Sequence, residues 1–406
     1  MAFLNQRRLR DYPRLMLGTM IFVLMLNILL RQGWMGAVKQ IIGGDFIMLY
    51  SAGKLFQQDA NSLYDFQKQG DIQRELLSPT PFEGIMPFNY PPYVAQAVSF
   101  FTRLPLAVAL VLWSILTIAC VTLAVYWISR VLVPNWLHDQ GLTFSQLLII
   151  SCSFFAFIEG LQVGQNHGLT LLLLTGMVIF SIKEKWFLAG ILAGLTIYKP
   201  QFAIGFLILW LIWGKYKALI GYAITSLTWV GLFVLSHGLS LFQTYLSSIP
   251  LLLKMPYLEG FGGYLEVTPY GFLISVLPSS AWSGIILFTQ ILTLLLSIGL
   301  AWTAFRFRKH PIDQRQTVFI LAILFPLLTA PHTLLHDLVI LIPALVLWAQ
   351  QTRSSSLLLI CITIYLGAFL LPLVTHVTGI ALLGLIPLSL LAAQIHQLGR
   401  LGVKDG

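Results

Sequence analysis

The sequence predicts an all-α polytopic membrane protein of about twelve transmembrane helices, with short interfacial helices in its first outer loop. Three observations predict it. Of the 406 residues, 57% are apolar and 10% charged, where a soluble domain carries about 25% charged residues. The mean hydropathy is +0.84. Lys and Arg gather at alternate ends of successive apolar runs, as the positive-inside rule requires of a chain that crosses a bilayer repeatedly. A water-soluble globular enzyme is excluded, and the formal charge of +9 reads as a topology signal, with no nucleic acid expected as partner.

Arg7, Arg8, Arg10 and Arg14 precede the first apolar run, Leu15 to Leu30. No small-residue cleavage site follows, so a retained signal anchor is expected. Apolar stretches of about 20 residues place the other spans near 106–129, 143–158, 167–182, 186–198, 200–213, 216–236, 282–305, 316–330, 335–350, 355–374 and 378–396. The run 186–198 covers only about 20 Å at 1.5 Å per residue. It and its neighbour are expected to tilt, or to stop short of the surface beside a cavity. Twelve spans put both termini on one side, and 16 of the 24 Lys and Arg fall there, among them Lys183, Lys215, Arg308, Arg353 and Lys404. The short outer loops keep only Lys199 and Lys254. Both termini are therefore expected in the cytoplasm of a cell (plasma or inner) membrane protein.

The chain 1–406 reads as a single integral-membrane domain: a first span at 15–30, an outer loop at 31–105, helical spans over 106–236 and 282–396, and a second outer loop at 237–281. In the first loop Phe46, Leu49, Tyr50, Leu55 and Phe56 recur at near-helical spacing, which predicts amphipathic helices at the outer interface. The second loop contains Pro269 to Leu277, too short to span and expected to be re-entrant. Cys120, Cys152 and Cys361 each lie in an apolar run, so they form neither a disulfide framework nor a CxxC site.

The polar clusters that remain all fall on the outer face: Asp45, Asn89-Tyr90-Pro91-Pro92, Gln162 with Gln165-Asn166-His167, Lys199-Pro200-Gln201, Glu266, and Pro331-His332 through His336-Asp337. A polar residue near hydrocarbon costs about 2.5–3.5 kcal/mol on insertion scales, so their gathering at one end of several helices predicts a shared cavity. In order, Gly44-Asp45-Phe46 with Tyr50, Leu63-Tyr64-Asp65, Phe88-Asn89-Tyr90-Pro91-Pro92, Gly164-Gln165-Asn166, Ala189-Gly190 to Lys199-Pro200, and Pro331-His332 to His336-Asp337 resemble glycosyltransferase family 87 over roughly residues 40–345. Its characterised members are polyprenol-phosphate-mannose-dependent mannosyltransferases of the GT-C superfamily.

The resemblance implies a GT-C-like bundle that moves a hexose, with mannose expected, from a polyprenyl-phosphate donor to an extracytoplasmic glycan or glycolipid, without a cofactor. It places Asp45 as the general base, in keeping with the one carboxylate that inverting displacement needs. From the residues alone Asp45 is equally a helix N-cap. Lys199, between two apolar runs and before a proline, suits the donor phosphate, whose charge grows as the sugar leaves; the alternative is a lysine snorkelling to the headgroups. His332 and His336, four apart, are expected on one helical face and assigned with Lys199 to the phosphate. A metal site lacks a third ligand and the HExxH pattern, and none is assigned. Gln165, Asn166, Asp337, Tyr90 and Glu266 are the candidates for sugar or acceptor. Gln165 and Asn166 offer paired donor and acceptor groups, against a capping role for Asn166, and Tyr90-Pro91-Pro92 also stiffens its loop. Glu266 departs from the Asn/Gln-Ser type of pattern expected there in the mannosyltransferases.

Two rival classes follow from the same residues. A transporter or flippase of lipid-linked sugars predicts repeated halves and a midplane site, whereas no repeat is detectable and the polar residues crowd one face. A non-catalytic scaffold leaves Asp45, Lys199 and His336 without a role.

Overall fold

The computed structural model describes residues 6–252, 265–351 and 355–402, and the regular elements among them are all helices. Lys254, Arg353, Lys404 and the middle of the second outer loop lie outside the described residues. In chain order the helices are α1 (Gln6–Leu29), α2 (Gly44–Asp59), α3 (Phe66–Leu77), α4 (Pro92–Val98), α5 (Leu106–Trp127), α6 (Pro134–Asp139), α7 (Phe144–Cys152), α8 (Phe155–Val163), α9 (His167–Ile182) and α10 (Trp186–Leu195). They continue with α11 (Gln201–Ile212), α12 (Tyr216–His237), α13 (Ser240–Leu252), α14 (Pro269–Val276), α15 (Trp282–Phe307), α16 (Ile312–Thr329), α17 (Leu341–Gln351), α18 (Ser355–Thr378) and α19 (Leu385–Gly402).

Among the described residues, five helices are long and apolar enough to cross a membrane: Arg10–Leu29, Leu106–Leu132, Tyr216–His237, Ser279–Phe307 and Leu382–Gly399. The predicted span 143–158 is instead two helices, α7 and α8, bent by 62° and passing the same test as a pair. The bend falls at Ser153, whose hydroxyl bonds to the Ile150 carbonyl at 3.0 Å and partners the Tyr365 hydroxyl. The other predicted spans fall on shorter apolar helical segments of 10–17 residues, Gln314–Thr329 of α16 and Thr363–Thr378 of α18 among them. α10 and its 3-10 extension Thr196–Tyr198 reach roughly 20 Å and α11 about 18 Å, less than the ~30 Å hydrocarbon core. They meet at the break Lys199-Pro200.

Packing follows side-chain size. α10 lies against α12 because Gly190 and Gly194 present bare backbone to it. A Cβ on Gly190 would run into the Ala218 carbonyl, which is how small residues bring apolar helices together where lipid supplies no hydrophobic drive. At the far end of α9 from His167, the Lys215 ammonium sits 4.6 Å from the Trp186 ring centroid. There Arg315 lies 3.9 Å from Glu184 and 5.5 Å from the Trp213 ring centroid. The basic loops predicted to share one side thus meet at one end, about 24 Å of helix from the polar clusters.

The first long loop, 31–105, is more deeply packed than its spacing predicts. One amphipathic face is expected of α2, yet Phe46 through Gly53 are all buried. The enclosing groups include Phe101 and Trp113, whose rings meet Phe46 at 6.3 and 5.4 Å. α2 also packs on α4 and α3, a tertiary environment that local periodicity does not report.

Candidate active site

The site is built by five chain breaks, the Lys199-Pro200 break between α10 and α11 and four more. α2 begins at Gly43, whose φ of 71° is left-handed, and the Gly43 N–H donates to the Gln162 carbonyl at 2.9 Å. α8 ends at Gly164, also left-handed at φ 73°. The two turns touch: a Cβ on Gly164 would stand 2.6 Å from the Phe46 Cβ and 3.4 Å from the Gly43 Cα. This contact brings Asp45 beside Gln165. Gly164→Ala combines left-handed strain of about 1–2 kcal/mol with that collision. It is expected to lower the unfolding midpoint in detergent, while Gly284→Ala, where a Cβ meets nothing within 4 Å, is expected to leave it alone. Equal midpoints for the two variants would remove the structural role given to this contact.

The third break carries Tyr90. Two buried amides on α3 hold the segment before it: Gln69 accepts from the Phe88 N–H at 2.9 Å, and Gln73 both accepts from the Met86 N–H and donates to the Met86 carbonyl at 2.9 and 2.7 Å. Asp65 caps α3 by accepting from the Gln67 and Lys68 N–H groups. The Tyr64 hydroxyl donates to the Tyr90 carbonyl at 2.8 Å. The fourth break, Pro331 to Leu334, is held extended because the Val267 N–H donates to the Thr333 carbonyl at 3.0 Å and the Asp337 carboxylate accepts from the Leu334 N–H at 3.1 Å.

These breaks surround a cavity of about 240 Å³. Asp45, Tyr90, Gln165, Lys199, His332, His336 and Asp337 line it, together with Met48, Asn89, Tyr198, Pro200, Gln201, Tyr245, Ile249, Pro331 and Leu334. Seven of the nine candidate residues from the sequence therefore meet. Asn166 and Glu266 stand behind the wall. Asn166 occupies the N-cap position of α9 but makes no side-chain cap bond. Glu266 is fully buried behind His332.

Asp45 stands one residue inside α2, and no side-chain bond caps that helix. The capping alternative is thus decided against. Its Oδ2 instead accepts from the Gln165 Nε2 at 2.8 Å. The amide is fixed in this sense because its Oε1 accepts from the Tyr90 hydroxyl at 3.0 Å and the Asn166 N–H at 2.9 Å. Burial pushes the Tyr90 hydroxyl above its ordinary range, so it remains a donor.

Lys199 donates to Asp337 Oδ1 at 2.9 Å; Asp337 is buried and Lys199 nearly so. His332 and His336 do not share a helical face, contrary to their spacing, because His332 lies in the extended segment and His336 in the 3-10 turn Leu335–Ile340. His332 Nδ1 is 2.5 Å from Glu266 Oε1, and His336 Nδ1 is 3.3 Å from Glu159 Oε2. Each cation-forming side chain on the wall therefore has its own carboxylate. Among the described residues Asp45 is the wall carboxylate with no ion-pair partner.

Glu159 was not singled out from the sequence. An acid inside the apolar run of α8 is costly, and that isolation was its signal. Tyr245 and Ile249, contributed by α13, lie in the second loop, where the sequence singles out no site residue before Glu266.

The model of glycosyltransferase family 87 matches residues 88–331, more than half of the chain. The match takes in Tyr90, Gln165, Lys199, Glu159 and Glu266, and ends one residue before His332. No curated protein and no solved structure gives a match. Because that match spans more than half of this helical chain, the chain belongs to glycosyltransferase family 87.

Proposed function

We propose that the protein is an inverting hexosyltransferase that takes a sugar, with mannose expected, from a polyprenyl-phosphate donor and passes it to an extracytoplasmic glycan or glycolipid. The observation that carries this reading is the meeting of one unpaired carboxylate, Asp45, with three basic side chains, Lys199, His332 and His336, in one cavity. Asp45 takes the proton of the acceptor hydroxyl as that oxygen attacks the anomeric carbon. The basic side chains receive the charge that grows on the departing phosphate. A double displacement needs a second free carboxylate about 5–5.5 Å from the first. The acids near this wall, Asp337, Glu266 and Glu159, are each tied to a base, which supports a single displacement.

The reading includes a GT-C-like bundle. Of its roughly twelve expected helices, the five long ones and the bent pair α7–α8 are long and apolar enough to cross a membrane. In this arrangement the cavity opens on the extracytoplasmic face.

Purified protein in detergent, given a panel of polyprenyl-phosphate sugars, is expected to free polyprenyl phosphate from one of them when acceptor is present. Equilibration of donor between leaflets without release would instead establish a flippase. A single cysteine at position 308 is expected to resist an impermeant maleimide added to intact cells; labelling there would overturn the orientation.

A further inference from the structure

Of the histidines on the wall, His336 has both ring nitrogens facing acids within the protein: Nδ1 is 3.3 Å from Glu159 and Nε2 3.8 Å from Asp337, with the side chain 2% exposed. His332 is different. Its side chain is 30% exposed on the cavity, and its Nδ1 lies 2.5 Å from the carboxylate of Glu266, whose own side chain is 0% exposed. A group so enclosed cannot touch a sugar. Its second oxygen, Oε2, accepts from the Thr333 N–H at 3.2 Å, and the backbones of Glu266 and Leu334 form an antiparallel bridge. Glu266 is therefore held on two sides and aimed at one atom.

We propose that Glu266 is a positioning residue that fixes His332 as a cation, with its Nε2–H presented to the departing phosphate of the donor. The proposal rests on the reading of this cavity as the place where that phosphate leaves. When the acceptor oxygen bonds to the anomeric carbon, the bond from that carbon to the phosphate oxygen breaks and its electron pair stays on the phosphate. The acceptor proton goes to Asp45. His332 keeps its proton throughout and donates a hydrogen bond to the charge that develops, as a charge-assisted donor.

The second ring nitrogen of a histidine is commonly oriented by the bond that the first one makes, and here the Nδ1–H is committed to Glu266. Burial opposes a charged His332, and the adjoining Glu266 carboxylate outweighs it and holds the imidazole above its ordinary range. Burial also lifts Glu266, against the pull of His332 and the Thr333 N–H. The other charged groups that face His332 are Asp337 from the 3-10 turn, which favours the cation, and Lys199 from the break between α10 and α11, which opposes it. Because the cation is the working form, the contribution of His332 to donor use is expected to be present at low pH and to fall as pH rises through the elevated pKa of His332.

The test is Glu266→Gln in the full-length protein, which keeps an acceptor for His332 and Thr333 but removes the charge. Two quantities are read: the titration of His332 by ¹⁵N-histidine NMR, assigned with His332→Gln, and the pH profiles of kcat and of KM for a polyprenyl-phosphate sugar. The expected result is a fall of about 1–3 units in the His332 titration. The alkaline limb of donor kcat/KM should move down with it, mainly through KM, and near-normal donor use should persist well below that limb. Glu266→Asp, which keeps the carboxylate, should restore much of the limb and covers the case in which the glutamine variant does not fold. An unmoved titration would overturn the proposal, and so would a moved titration with an unmoved donor profile. Loss of activity by the same factor at every pH would reduce Glu266 to a structural role. Wild-type protein that frees no polyprenyl phosphate from any donor would sink the functional reading, while the titration would still decide the pair.

Discussion

Asp45→Asn is expected to fold, insert and bind donor normally, and to lose transfer by about 10²–10⁴, the usual worth of a positioned general base. The substitution is informative because it leaves the surroundings satisfied. Asn retains an oxygen that can accept from the Gln165 Nε2, which now meets Asp45 at 2.8 Å, and the Gln165 amide stays held by Tyr90 and Asn166. The first turn of α2 loses a favourable charge near a helix N-terminus, worth about 0.3–1 kcal/mol, too little to unfold the chain. What is lost is proton acceptance. Donor affinity should survive, since the phosphate is assigned to Lys199, His332 and His336 and not to Asp45. Transfer within a few-fold of wild type by a normally expressed Asp45→Asn would reject the assignment. Suspicion would then move to Asp337, the other acid on the wall.

The positions that the sequence could single out are those where an apolar run is interrupted. Gly164, Pro200 and Pro331 end helices within otherwise apolar chain, and non-helical backbone at such places survives where it is buried in protein or lines a cavity. The polar residues beside them, Gln165, Lys199 and His332, line the same space. The pairings were not legible. Lys199 and Asp337 are 138 positions apart, and His332 with Glu266 and His336 with Glu159 depend on which breaks face each other. The same limit misdirects the spacing of His332 and His336. A separation of four suggests one helical face, but the bond from Val267 to Thr333 holds the first of them in extended chain. Glu266, readable as an unusual acid in an outer loop, gave no sign that it would face a histidine instead of the cavity. The enclosure of α2 was hidden for a related reason: Phe101 and Trp113, which cover Phe46, come from elements far along the chain.

Lys199→Ala is expected to abolish most donor use, and the ion pair with Asp337 makes the cause of that loss the point to resolve. The two side chains are 11% and 4% exposed and 2.9 Å apart, and removal of one partner of a buried pair destabilises by about 3–5 kcal/mol because the other charge is left uncompensated. A loss in the single variant therefore has two sources, a missing phosphate contact and an unpaired Asp337. The double variant Lys199→Met with Asp337→Asn separates them. It leaves no orphan charge, keeps an acceptor for the Leu334 N–H, and should return the unfolding midpoint in detergent close to that of the wild type. If Lys199 meets the phosphate, donor use in the double variant should remain depressed by about 10²–10³, the usual worth of a donor aimed at developing negative charge. Asp337→Asn alone should act in the opposite sense on binding, because it frees the Lys199 ammonium from its carboxylate and leaves the wall more positive, so the KM for donor should stay level or fall. Lys199→Arg should recover part of the activity, limited by a planar fork in place of a compact ammonium. Recovery of donor use together with stability in the double variant would show that Lys199 serves only to neutralise Asp337, and the phosphate would then rest on His332.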